Sequence, residues 1–124
     1  MPRRDWSALL RLEGALSADF GRALHKVRLF GSYARNDFDA LSDVDVLVVV
    51  ASLSPAERNR IIDRAVESST SEVILAPLIL TAAELDALRA RGMLIAQDID
   101  REGIDVAGRA AARRADAARR GRAA

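Results

Sequence analysis

Two short groups of residues stand out by type and spacing. Gly31-Ser32 closes a run of large apolar residues, and ten residues further on Asp43 and Asp45 are separated by a single valine. A glycine and a serine at a strand end, ahead of a helical turn begun by Tyr33-Ala34-Arg35, offer backbone N–H groups and a hydroxyl to phosphate oxygens. In an extended segment Asp43 and Asp45 direct both carboxylates to one side. Two acids on an otherwise apolar strand repel each other and are costly to bury, so a cation or a basic side chain must neutralise them. A hard divalent cation such as Mg²⁺ suits paired carboxylates together with phosphate oxygens. The chemistry that follows is metal-assisted transfer at phosphorus. The plainer roles of the same residues are a turn glycine, a helix-capping serine and a solvated strand start, and it is their joint spacing that favours a site.

The elements that must position these groups can be read from periodicity. Trp6, Leu9, Leu10, Leu16, Phe20 and Leu24 recur at three- and four-residue intervals, which predicts an amphipathic helix over about residues 5–22. Residues 26–30 (KVRLF) read as a strand ending at Gly31, and residues 44–50 (VDVLVVV) as the clearest strand of the chain. Its nearly continuous apolar run implies burial on both faces and a central place among helices. Ser54-Pro55-Ala56-Glu57 is a capping box opening a helix to about residue 67, and Thr81-Ala82-Ala83-Glu84 repeats the signature. Between them residues 72–80 (EVILAPLIL) form a third strand, whose Pro77 favours an edge or a bulge. Helices over residues 82–91 and 93–102 follow, with Gly103 placed to end the last and residues 104–106 to add a short strand. This order describes a small α/β (α+β) domain over residues 1–106.

Composition narrows the class. The chain has 124 residues, 19 basic and 18 acidic side chains and no cysteine, which removes disulfides, a thiol nucleophile and thiolate metal sites. That usage fits a reducing cytoplasm, the expected location; no signal peptide is expected, since Arg11, Glu13, Asp19 and Arg22 interrupt the start, and no membrane span, since the longest apolar run, residues 44–53, is far shorter than the roughly 20 residues that cross a bilayer. The net charge of +1 argues against a dedicated nucleic-acid binder. It conceals an asymmetry, because residues 107–124 hold six arginines and one aspartate, leaving −4 on residues 1–106. This Ala/Arg-rich tail is expected to be a solvated, partly helical extension, as it lacks aromatic residues that stack on bases. His25 is read as a surface or capping residue, Trp6 as core or partner contact, and Asp98, Asp100 and Glu102 as the polar side of a helix.

Gly31-Ser32, ten residues and Asp43-x-Asp45 together resemble the Gly-Ser-x10-Asp-x-Asp signature of the DNA polymerase beta-like nucleotidyltransferase superfamily. FGSYAR followed by SDVDVLVVV is similar to the minimal nucleotidyltransferases, including the antitoxin partners of HEPN-domain toxins. The resemblance implies a small mixed β-sheet flanked by helices. It implies that Gly31 and Ser32 hold the triphosphate of a nucleoside triphosphate, with ATP as donor, that Arg35 supports that loop or faces a phosphate, and that Asp43 and Asp45 are the catalytic pair binding Mg²⁺. Asn36 stands where a glycine commonly follows the arginine. Active relatives usually place another acid on the next strand, where it binds metal and helps to deprotonate the attacking hydroxyl. In residues 72–80 the only acid is Glu72, at the start; if the relevant position is Ile74 or Ala76, the site has two carboxylates.

Two functions from different classes follow. The first is an Mg²⁺-dependent nucleotidyltransferase that passes a nucleoside monophosphate to a hydroxyl, the acceptor being a HEPN-type partner toxin. A lone domain has little room for an acceptor pocket, so a partner or a second subunit would complete the site. The second is a catalytically impaired module of the same fold that neutralises its partner by contact. Salt-sensitive nucleic-acid binding through the tail is a third possibility.

Overall fold

A computed structural model of the protein describes residues 3–31, 34 and 43–106. The chain runs through α1 (Arg3–Phe20), a 3₁₀ turn (Gly21–Ala23), β1 (Leu24–Phe30), β2 (Val44–Val50), α2 (Pro55–Ser68), β3 (Leu75–Thr81), α3 (Ala82–Ala90), α4 (Leu94–Glu102) and β4 (Ile104–Asp105). The strands form one mixed sheet in the order β3-β2-β1-β4, with β1 antiparallel to β2 and β4 and β2 parallel to β3. The expected Ala/Arg-rich tail lies outside the described residues.

The sheet is covered on both faces, which accounts for the composition of β2. Its alternate residues Val44, Val46, Val48 and Val50 pack with Val27, Leu29 and Ile79 against Leu9, Leu12 and Leu16 of α1 and Ile61 of α2. Leu47 and Val49 point the other way, into a smaller cluster with Leu85 of α3 and Ile99 of α4. Beyond the sheet, α1 and α2 are tied together where Arg64 donates from Nε to Asp19 Oδ2 at 2.7 Å and from Nη2 to Oδ1 at 3.1 Å. This guanidinium holds the Asp19 carboxyl below its ordinary range. Both capping boxes form: Glu57 N–H donates to Ser54 Oγ at 3.1 Å and Glu84 N–H to Thr81 Oγ1 at 3.1 Å, with each glutamate accepting in return.

Three expectations are refined. The third strand begins at Leu75, so Glu72 lies before it. Thr70 is the reason: its Oγ1 accepts from Val73 N–H at 3.0 Å and from Glu72 N–H at 3.3 Å, and its own N–H donates to Val73 O at 2.8 Å. A tight turn therefore uses the backbone groups that a ladder would need. Strand β1 starts earlier than expected, at Leu24, with the register shifting between Leu24 and Lys26, and His25 on this irregularity is exposed. Gly103 does end α4, but in extended geometry at φ −68° rather than left-handed. It is required by space, since a Cβ there would strike Arg28 Nε and Ile99 O. Arg28 reaches from β1 to cap α4, donating to Ile99 O at 3.0 Å and to the Asp105 carboxylate at 2.8 Å.

Pro77 occupies the edge strand, as expected, and the pairing explains why it fits. Val44 N–H donates to Ile74 O at 2.8 Å, so even-numbered residues of β3 turn their backbone groups toward β2 and odd-numbered residues turn theirs outward. On the outward side Leu75 N–H donates to Ser69 Oγ at 3.0 Å and Thr81 N–H to Glu84 Oε1 at 2.9 Å, while Pro77 has no N–H. Ile79 alone among these four keeps an outward donor not committed in this way, so the edge offers little to a pairing strand.

Two outcomes follow. Pro77→Val is expected to associate with rising concentration in size-exclusion chromatography, where elution like the parent would show that the proline does not guard the edge. Asp19→Asn is expected to melt below the parent at neutral pH, with the gap closing in acid. Because the folded Asp19 pKa is lowered, its contribution is complete above the ordinary carboxylate value of about 4 and is lost as pH falls through the folded value; a gap independent of pH would contradict it.

Candidate active site

The site is built where β1 ends and β2 begins. Their antiparallel register sets Phe30 opposite Asp45, so Gly31, the next residue, emerges beside the Asp45 side chain. Gly31 has φ +77°, a left-handed conformation that glycine adopts without penalty. Space is close as well: a Cβ at this position would meet Asp45 Oδ2 and lie 3.1 Å from Asp45 Cγ, so the carboxylate would have to shift. The carboxylate of Asp45 thus fills the volume that any other residue 31 would claim.

Asp43 precedes β2 and is exposed, and Asp45 is half-buried one residue inside the strand. Both belong to the alternation that continues through Leu47 and Val49, on the sheet face covered by α3 and α4. The pair stands at the end of that face where the smaller cluster stops. Among the described residues no third acid, histidine or cysteine joins them in a metal-binding cluster. Across the parallel ladder Ala76 is level with Asp45, and Ile74, whose carbonyl accepts from Val44 N–H, is level with Asp43. Ile74 is 49% exposed. The strand next to the acids is therefore apolar at both levels, and Glu72 sits in the Thr70 turn outside the ladder.

Two carboxylates at a sheet end fit a hard divalent cation that takes its remaining ligands from water and phosphate oxygens. Of the residues expected to seat phosphate, Gly31 lies beside the Asp45 carboxylate, while Ser32 and Arg35 lie outside the described residues. Ala34 packs against the α1 side of the core. A separate open depression of about 300 Å³ runs along α2, lined by Asn59, Arg60, Asp63 and Arg64 among others. Its arginines are engaged with Asp19 and Glu67, and it lies on the helix that covers the opposite face of the sheet.

The nucleotidyltransferase domain model matches residues 9–95, a span that takes in Gly31, Asp43 and Asp45. The chain belongs to the nucleotidyltransferase domain family. Within this family, a candidate protein adenylyltransferase of Methanocaldococcus jannaschii is 43% identical over 58 residues, covering 45% of this chain and 59% of that protein. The chain thus matches a little over half the length of this relative. Among solved structures, a candidate nucleotidyltransferase from Sulfolobus solfataricus superposes with TM-score 0.54 at 20% identity, covering 82% of this chain and 78% of that one. A toxin–antitoxin structure with AMP-PNP gives TM-score 0.51 at 22% identity, covering 78% and 71%. These superpositions establish a shared nucleotidyltransferase fold, a mixed sheet with helices on both faces.

The sequence signalled the glycine as an approach point for a ligand. Its second duty, making room for Asp45, depends on the β1–β2 register and has no signature in the sequence. Gly31→Ala is expected to push the Asp45 carboxylate aside and also to strain residue 31 by roughly 1–2 kcal/mol. Binding of Mn²⁺ with a non-hydrolysable nucleotide should fall as far as in Asp45→Asn, while far-ultraviolet circular dichroism stays that of the parent. Undiminished binding would contradict the packing argument.

Proposed function

We propose that this nucleotidyltransferase-family protein transfers a nucleoside monophosphate from a nucleoside triphosphate, with ATP as donor, to a hydroxyl on a partner protein, and that the partner is a HEPN-type toxin. The observation that carries the reading is the Asp45 carboxylate lodged against Gly31 and aligned with Asp43. The adenylyltransferase name of the archaeal relative supports an adenylyl donor, and the toxin–antitoxin structure with AMP-PNP supports a toxin as partner.

In this reading Asp43 and Asp45 hold Mg²⁺, and Gly31 and Ser32 seat the phosphates, with Arg35 supporting that loop. When bound, Mg²⁺ supplies positive charge to the phosphoryl oxygens and to the departing pyrophosphate. The chain's own contribution is position. Asp45 is fixed by the β1–β2 ladder and by contact with Gly31, and Asp43 extends the same alternation to the exposed rim. A preset pair of ligands avoids reorganisation during transfer.

The apolar strand beside the acids favours a second reading, a module that keeps the fold and neutralises its partner by contact. The two separate when the protein is incubated with α-labelled ATP, Mg²⁺ and the protein encoded beside it. Label is expected on the partner and is expected to fall by about 100-fold or more in Asp43→Asn and Asp45→Asn. Neutralisation that persists in both variants with no label transferred would overturn the enzymatic reading.

A further inference from the structure

Among the described residues one ionisable side chain is fully buried: Glu13 of α1, 1% exposed. Ser17 Oγ donates to its Oε1 at 2.7 Å. A hydroxyl offsets only part of the cost of burying a carboxylate, and a guanidinium at hydrogen-bond distance offsets more. The arginines at the α1–α2 boundary are directed elsewhere, Arg11 to Ser68 O at 3.0 Å and Arg64 to Asp19. Glu13 stands about 200° around the helix from Arg11 and about 120° from Asp19, on the side of α1 turned away from α2.

That side faces a definite part of the fold. In the strand order β3-β2-β1-β4, α2 lies against β3 and α1 against β1, so the flank of α1 opposite α2 looks toward β4. There the chain leaves the sheet: Val106 N–H donates to Val27 O at 2.8 Å, and Val106 is buried in one cluster with Leu9, Leu12 and Leu16 of α1. Residues 107–124 follow, with six arginines and one aspartate. The first arginine, Arg109, is three residues on, so its Cα is within about 11 Å of that of Val106 before its side chain extends the reach. Trp6, Leu10, Glu13 and Ser17 form one stripe at three- and four-residue spacing, and Trp6 and Leu10 pack partly buried against the core. An alanine-rich segment suits such a stripe, because small side chains let its backbone approach.

We infer that residues 107–124 dock back along this flank of α1, with Arg109 paired to Glu13. A carboxylate buried on the flank and a cationic segment beginning within its reach are complementary. The tail is then a component of the domain, and its first arginine serves the fold.

The test is trypsin cleavage of the full chain after Arg113 and Arg114, followed by mass spectrometry, with a synthetic peptide of residues 107–124 as the undocked reference. In the parent, cleavage is expected to be slower than in the peptide by about tenfold or more, and independent of protein concentration. Glu13→Gln, with circular dichroism like the parent, is expected to be cut at the rate of the peptide. Should that buried substitution prevent folding, Arg109→Gln carries the decision, and it too is expected to abolish protection. A parent cut as fast as the peptide would overturn the inference, as would a folded Glu13→Gln chain or an Arg109→Gln chain that keeps full protection. Protection that fades on dilution would assign the tail to a second copy and overturn docking within one chain.

Discussion

The antiparallel pairing of β1 with β2 is the constraint on which the site depends. It sets Phe30 against Asp45 and thereby delivers Gly31 to the carboxylate that occupies its missing side chain. A one-residue slip would turn the carboxylates toward the face filled by Leu9, Leu12 and Leu16, where unpaired charge is costly. The hydrophobic alternation of β2 therefore fixes where the acids point. The core and the site are specified by the same seven residues of β2, with Asp43 one step beyond.

Around this pair the remaining elements act as supports of unequal depth. The α1–α2 layer covers one face with the larger cluster and is cross-linked through Asp19 and Arg64. The α3–α4 layer is thinner and is held to the sheet by Leu85, Ile99 and the Arg28 cap on the last turn of α4. The acids emerge beside the thinner layer. The apolar Ile74 and Ala76 border the acids without adding charge.

Much of this was legible in the sequence, for reasons that differ by element. The β2 strand was readable because a run with six apolar residues in seven has few other uses, and α2 and α3 because each opens on a capping box whose two hydrogen bonds are local. Pro77 marked an edge strand because a missing donor is tolerated only there. The start of β3 was not readable, since residues 72 and 73 carry strand-like composition and are held in a turn by the side chain and backbone N–H of Thr70. The place of Gly103 at the end of α4 is legible, whereas the crowding that requires a glycine there comes from Arg28, 75 positions earlier in the chain. The candidate site divides in the same way. The Gly31 and Asp43-x-Asp45 spacing is a local pattern, whereas the level of Ile74 and Ala76 relative to the acids is a parallel register that no single segment encodes.

The central claim is that Asp43 and Asp45, set against Gly31, bind a divalent cation and a nucleotide as one unit. Equilibrium dialysis of the full chain against labelled AMP-PNP, with and without Mg²⁺, tests it most directly. The expected result is nucleotide retention that requires Mg²⁺ and disappears when both aspartates are replaced by asparagine. Retention of equal strength without Mg²⁺, or in the doubly substituted chain, would contradict it.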